Sequence, residues 1–85
     1  MKLLFSSSAW DDYLYWQKTN KKIVKRINTL IKEIQHNPLE GIGKPEALRH
    51  GLAGYYSRRI NEEHRIVYKV QDECLFIAQL RYHYN

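Results

Sequence analysis

Two arginines, Arg59 and Arg65, flank a short polar segment whose composition favours a hairpin loop. If residues 61–63 form a three-residue turn, Arg59 faces Arg65 across two antiparallel strands. Like charges placed directly opposite each other destabilise a sheet, and an anion between them reverses that effect. Because a guanidinium offers a planar fork of donors that matches phosphate oxygens, the pair predicts a clamp for a phosphate that gains charge during a reaction. The alternative is that both arginines extend over tyrosines on a solvated face.

The carboxyl-terminal residues supply a candidate general acid. In the predicted last strand, Arg81 and His83 are two residues apart, so their side chains project on the same side. Histidine exchanges protons near neutral pH, which suits His83 to protonate a departing alkoxide. The alternative is a solubilising tail. Aromatic residues continue almost to Asn85, which argues against a tail, since in a tail their apolar rings would be exposed to water without packing.

Glu46 is a candidate general base. It follows a segment rich in glycine and proline, and Lys44, Arg49 and His50 surround it in the sequence. Nearby cations keep a carboxylate ionised, whereas partial burial raises its proton affinity, and the balance between the two decides whether it can act as a base. The alternative is that Glu46 is an ordinary surface charge.

Other kinds of site find little support. The four histidines lie on different predicted elements without the paired spacing of a metal site. There is no glycine-rich phosphate loop, and Cys74 at the start of a predicted strand reads as a small hydrophobic residue rather than a nucleophile. We therefore expect neither a metal nor a cofactor.

The elements that must position these side chains are two helices followed by several strands. Ser7 or Ser8 is expected to cap the first helix, with Asp11 and Asp12 in its first turn. Asn20 is expected to cap the second, which ends before Pro38. Strands are predicted near residues 2–6, 47–50, 55–60, 64–70 and 75–83. The short links between the later strands favour hairpins, so we predict an α+β fold in which the two N-terminal helices pack on one face of an antiparallel sheet.

Length and composition fit one small basic domain over residues 1–85. The 85 residues carry 14 Lys plus Arg against 9 Asp plus Glu, a formal charge of +5 that favours polyanions or acidic proteins as partners. The single cysteine permits no intrachain disulfide, which fits a reducing cytoplasm. The apolar start ends at Ser6, too short for a signal peptide or a membrane span, so we expect neither export nor membrane insertion.

Several motifs in order resemble the YoeB toxins of the RelE/ParE superfamily. They are Ser-Ala-Trp-Asp-Asp-Tyr-Leu-Tyr-Trp-Gln at 8–17, Gly-Lys-Pro-Glu at 43–46, Ser-Arg-Arg-Ile at 57–60, Glu-Glu-His-Arg-Ile-Val-Tyr at 62–68 and Arg-Tyr-His-Tyr at 81–84. The similarity runs from Lys2 to Tyr84, nearly the whole chain. It implies a microbial RNase (RelE-like) fold and a metal-independent endoribonuclease that cleaves messenger RNA in the ribosomal A site.

Each site residue takes its expected role from this resemblance. Glu46 corresponds to the general base that deprotonates the ribose 2′-hydroxyl, Arg65 to the group that stabilises the charged phosphorane-like state, and His83 to the general acid that protonates the 5′-oxygen. Arg59, Arg49, Lys44 and Tyr84 are expected to hold phosphate and base. Arg49 stands where relatives have lysine, which keeps the charge and alters the donor geometry.

The expected partners follow from the same resemblance. They are the ribosome with its messenger RNA, a cognate YefM-like antitoxin and a second copy of the chain. Two alternatives stay open, a ParE-like toxin that poisons gyrase by binding and a non-catalytic basic RNA-binding module. Neither needs an acid and a base together, so the presence of Glu46, Arg65 and His83 favours cleavage.

Overall fold

The computed structural model describes residues 1–82. Two helices pack on one five-stranded sheet with strand order β1-β5-β4-β3-β2. The bounds are β1 Lys2–Phe5, α1 Ser7–Thr19, α2 Lys21–His36, β2 Glu46–Ala47, a 3-10 turn His50–Leu52, β3 Tyr56–Arg59, β4 Arg65–Gln71 and β5 Cys74–Gln79. The predicted α+β arrangement of helices and sheet is confirmed.

Helix α1 begins one or two residues earlier than predicted. Ser6 is the N-cap: its hydroxyl accepts from the amide of Ala9 at 3.0 Å and donates to the carbonyl of Ala78 at 2.7 Å. Prediction of Ser7 or Ser8 as the cap was therefore wrong. Ser6 is favoured as the cap because the same hydroxyl also forms a hydrogen bond to β5, which fixes the start of the helix against the sheet. The shift moves both Asp11 and Asp12 into the second turn, so their predicted place in the first turn was also wrong.

Helix α2 supplies much of the core. Asn20 caps it, as predicted, with its side-chain oxygen accepting from the amides of Lys22 and Ile23. The helix ends at His36, two residues before Pro38, also as predicted. Its buried side chains recur at the spacing of one helical face and pack against the sheet: Ile23, Ile27, Leu30, Ile31 and Ile34.

The hairpin between β3 and β4 has the predicted register. Arg59 pairs with Arg65, and Asn61 closes the turn by accepting from the amides of Glu63 and His64 through its side chain. The two arginines are thus placed opposite each other by turn chemistry.

Strand β1 departs from the predicted antiparallel sheet. It pairs with β5 in parallel, with Lys2 opposite Cys74 and Phe5 opposite Ile77, so the sheet is mixed. The other pairings, β2–β3, β3–β4 and β4–β5, are antiparallel as expected. Only those strands are joined by short links, and a short link is what dictates an antiparallel pair.

Strands β2 and β5 end three and four residues earlier than predicted. Strand β2 covers only Glu46–Ala47, and the chain turns at His50, whose φ of +61° is incompatible with a continuing strand. Strand β5 ends at Gln79, not at residue 83. The peptide groups of Leu80 bond to side chains of α1 in place of a strand partner. Arg81 therefore does not continue the predicted strand alternation.

A buried arginine organises the link between α2 and β2. Arg58 is fully buried, forms an ion pair with Glu33 at 3.1 Å, and donates to the hydroxyl of Tyr68. Its guanidinium also donates to three loop carbonyls, those of Asn37, Glu40 and Ile42. One side chain on β3 thereby holds the loop that leads to Glu46.

None of the helices within residues 1–82 combines the length and the apolar character needed to cross a bilayer.

Candidate active site on the open face of the sheet

The two faces of the sheet carry different kinds of residue. Tyr56 and Arg58 of β3 lie beside Ile66 and Tyr68 of β4 and point toward the helices, where Ile66 and Tyr68 are fully buried. Because side chains alternate along a strand, the residues between them point away from the helices. This second surface, which we name the open face because the two helices pack on the other side, carries Glu46, Ser57, Arg59, Arg65 and Val67. Of these, Ser57 and Val67 are buried.

Glu46 lies on the open face because it pairs directly with Ser57 at the edge of the sheet. Its side chain is exposed. The preceding loop is fixed to β3 at Gly43, whose carbonyl accepts from the amide of Arg59 at 2.6 Å. Gly43 has a φ of +84°, and a Cβ there would lie 3.0 Å from the carbonyl oxygen of Arg59. The close packing of the Gly43 backbone against β3 therefore places Glu46 at the edge of the sheet.

Arg59 and Arg65 lie side by side on the same face, both half-buried. Within the described residues, the hydrogen bonds of the Arg65 side chain are all made by Nη1, which donates to carbonyls of the hairpin, at 3.0 Å for Asn61 and 3.2 Å for His64. From strand spacings, the Cα atoms of Glu46 and Arg65 are roughly 12 Å apart, two strands across and two residues along. Extended glutamate and arginine side chains can reach a common dinucleotide across that distance.

Lys44 and Arg49 lie near Glu46 in the chain but not on the strands. Lys44 is exposed in the loop before β2, with a φ of +52°, and Arg49 is exposed just before the 3-10 turn. The structure thus brings Glu46, Arg59 and Arg65 to one surface and leaves Lys44 and Arg49 at its margin. His83 and Tyr84, the predicted acid and a predicted RNA contact, lie outside the described residues.

Three side chains that sequence reasoning did not assign to the site hold the segment 80–82, which leads to His83. Asp12 and Trp16 of α1 bond to the two peptide groups of Leu80, at 3.0 and 2.9 Å. His64 accepts from the amide of Tyr82 through Nδ1 at 2.7 Å. The motif at 62–68 contained the signal for His64, since strand alternation places it next to Arg65 on the opposite side.

Tyr68, on the helix side of the sheet, has a shifted pKa. Burial raises the pKa of its hydroxyl above the usual 10.0, and the hydrogen bond and charge of Arg58 partly oppose that rise. The Tyr68 hydroxyl therefore stays protonated and donates to the carbonyl of Pro38 at 2.7 Å. Among residues 1–82, no three His, Cys, Asp or Glu side chains gather in a way that could hold a metal ion.

The family comparison covers almost the entire chain. Residues 5–84 match the model of the YoeB-like toxin of bacterial type II toxin-antitoxin systems. Toxin YoeB of Escherichia coli strain K12 is 62% identical over 84 residues, which are 99% of this chain and all of the relative.

Solved structures agree over the same length. The YoeB/ParE toxin from Agrobacterium tumefaciens has a TM-score of 0.96 at 48% identity, covering 99% of this chain and all of that one. YoeB from Staphylococcus aureus, in a complex with YefM, has a TM-score of 0.92 at 56% identity, with 99% and 98% covered. The dimer of the Staphylococcus aureus protein has a TM-score of 0.93 at 55% identity, with the same shares covered. The chain has the RelE-like fold and belongs to the YoeB-like toxins of bacterial type II toxin–antitoxin systems.

Proposed function

We propose that the chain is an endoribonuclease that cleaves messenger RNA in the A site of the ribosome and so inhibits translation. The observation that carries this proposal is the common placement of Glu46, Arg59 and Arg65 on the open face. An exposed carboxylate on the same face as two guanidinium groups combines a proton acceptor with donors for a phosphate, and a protein that only binds RNA has no use for the acceptor.

In the proposed reaction, the phosphoryl group is transferred from the 5′-oxygen of one nucleotide to the ribose 2′-oxygen of the nucleotide before it. Glu46 takes the proton of a ribose 2′-hydroxyl, and the freed oxygen attacks the neighbouring phosphorus. Arg65, with Arg59 beside it, stabilises the extra negative charge that builds up on the phosphate oxygens. His83 protonates the departing 5′-oxygen, so the products are a 2′,3′-cyclic phosphate and a 5′-hydroxyl. No step needs a metal or a cofactor, and Lys44, Arg49 and Tyr84 hold phosphate and base.

The ribosome supplies much of the alignment. An exposed carboxylate and a histidine are ordinary groups, and holding a 2′-hydroxyl in line with its phosphate replaces a large entropy loss. Cleavage of free RNA is therefore expected to be slow.

Regulation rests on a partner. A YefM-like antitoxin with an acidic, initially disordered tail suits this basic chain of formal charge +5, since folding of such a tail on the open face occludes the site. A homodimer is also proposed, because Leu3, Trp10 and Leu14 leave apolar surface exposed on β1 and α1. A cytoplasmic location fits each of these partners.

The test is cleavage of a defined message on programmed ribosomes, read as a fragment ending in a cyclic phosphate. We expect Glu46→Ala and His83→Ala each to lower the cleavage rate by about 10²–10⁴-fold, the usual worth of a proton-transfer group, with little change in ribosome association. Glu40→Ala, which removes an exposed carboxylate from the preceding loop, serves as the matched control and should cleave normally.

Two results would contradict the proposal. Loss of ribosome association in Glu46→Ala or His83→Ala would assign these residues to binding. Inhibition of gyrase by a chain that leaves the message intact would favour the ParE-like alternative.

A further inference from the structure

The segment 80–82 is fastened to the fold immediately before His83. The amide of Leu80 donates to the Asp12 carboxylate at 3.0 Å, and its carbonyl accepts from the indole of Trp16 at 2.9 Å. The Leu80 side chain is fully buried, and the Arg81 guanidinium stacks 3.6 Å from the ring centroid of Tyr15. Helix α1 therefore anchors the first two residues of the segment.

Tyr82 is held by the β3–β4 hairpin instead. Its amide donates to Nδ1 of His64 at 2.7 Å, and its carbonyl accepts from the amide of Arg65 at 3.0 Å. Tyr82 has a φ of +66°, in the left-handed region that a side chain with a Cβ disfavours. Such a conformation persists only where surrounding contacts impose it. The two hydrogen bonds on either side of Tyr82 are those contacts.

His64 is buried, and its packing fixes the position at which its ring accepts the hydrogen bond from Tyr82. Only 7% of its surface is exposed, and its ring packs edge-on against Trp16 at a centroid distance of 4.8 Å. Because a backbone amide must donate, Nδ1 accepts and the ring proton lies on Nε2, which is 3.5 Å from the Glu63 carboxylate. His64 therefore contributes a hydrogen-bond acceptor for the Tyr82 amide in addition to its packing against Trp16.

We propose that His64 is a positioning residue for His83, acting through the backbone of Tyr82. Tyr82 is the residue before His83 in the chain, and the Nδ1 acceptor holds its left-handed backbone conformation in place. This rests on the proposed function, in which His83 is the general acid. A misplacement of about 1 Å in such a group can lower a rate by about 10²-fold, so a single distant acceptor controls the chemical step.

Two substitutions at His64 distinguish the loss of the hydrogen-bond acceptor at the Nδ1 position from the loss of the imidazole ring itself. Asparagine carries its oxygen on Cγ, as histidine carries Nδ1, whereas the amide of glutamine lies one atom further out. We expect His64→Gln to lower kcat on programmed ribosomes by about 10-fold or more with KM within about twofold, and His64→Asn to recover most of the loss. Thermal unfolding of both variants monitors the fold.

A backbone change tests the same bond without touching the buried ring. Cys74 is the only cysteine, so a peptide of residues 74–85 with an ester in place of the Tyr82 amide can be ligated there. The ester removes the donor and keeps every side chain, and kcat should fall as in His64→Gln. A ligated all-amide chain is the matched control.

The outcomes are distinguishable. Unchanged kcat in the ester chain, or equal kcat losses in His64→Asn and His64→Gln, would overturn the positioning role while the nuclease proposal stands. If the unmodified chain cuts no message on ribosomes, the nuclease proposal fails and this one fails with it.

Discussion

At the scale of single residues, the adjacent arginines Arg58 and Arg59 have opposite roles. Arg58 is buried beneath the sheet, where it bonds to Glu33, Tyr68 and the loop carbonyls, whereas Arg59 faces Arg65 on the open face. Strand alternation predicted the position of Arg59 from the hairpin alone. The partners of Arg58 could not be predicted, because they come from a helix and a loop whose packing has no local signal in the sequence.

A pair of matched substitutions tests this division. Arg58→Met removes the cationic partner of Glu33 and the guanidinium donor of three loop carbonyls, so we expect it to lower the free energy of unfolding by about 3 kcal/mol or more. Arg59→Met relieves a like-charge contact and should change stability by less than about 0.5 kcal/mol while slowing cleavage. Urea unfolding and the ribosome assay measure the two quantities. Similar stability losses in both variants would contradict the assignment.

The raised pKa of Tyr68 is expected to make the stability of the fold decrease at alkaline pH. Burial raises its pKa in the folded state, so above pH 10.0 the unfolded chain loses the phenol proton while the folded chain keeps it. The stabilisation is complete below the unfolded value and is lost as pH rises toward the folded value. Unfolding measured from pH 8 to 11 should show wild type losing up to about 1.4 kcal/mol per pH unit more than Tyr68→Phe. Parallel curves would show that Tyr68 ionises equally in both states.

At the scale of elements, the first and last residues of helices and strands were harder to predict than the presence of the elements. The apolar period predicted the buried face of α2, Asn20 and Pro38 predicted its ends, and the polar turn at 61–63 predicted the β3–β4 register. The end of β5 was missed because the peptide groups of Leu80 bond to Asp12 and Trp16, 68 and 64 residues away in the chain. Local patterns carry no information about such partners.

The loop before β2 depends on one glycine for its close approach to β3. A Cβ at Gly43 would lie 3.0 to 3.2 Å from the Arg59 backbone, and its φ is +84°. We expect Gly43→Ala to lower the free energy of unfolding by about 1–3 kcal/mol and to slow cleavage by displacing Glu46. Gly51→Ala is the control, since a Cβ there meets nothing within 4 Å. Equal effects of the two substitutions on stability and cleavage would show that the loop tolerates a shift at Gly43.

At the scale of the whole molecule, the sheet separates a face covered by the two helices from the face that carries the candidate site. The helices cover one face, as the predicted fold class implied, and the structure adds that Glu46, Arg59 and Arg65 share the other. The parallel pairing of β1 was not implied, because β1 and β5 are joined through nearly the whole chain and no turn fixes their direction. That pairing completes the sheet at the edge opposite β2 and leaves the open face unchanged.

The location of charge, more than its total of +5, is expected to govern association with ribosomal RNA and message. Arg49→Gln and Lys25→Gln each remove one exposed positive charge, the first beside the site and the second on α2. If Arg49 contacts a phosphate, its loss should reduce the slope of log affinity against log salt by about 1, whereas Lys25→Gln should leave the slope unchanged. Ribosome binding titrated at several salt concentrations measures both slopes. Equal reductions would mean that the net charge of the chain attracts the ribosome without a local contact at Arg49, and the resulting affinity would then be insensitive to which face carries the charge.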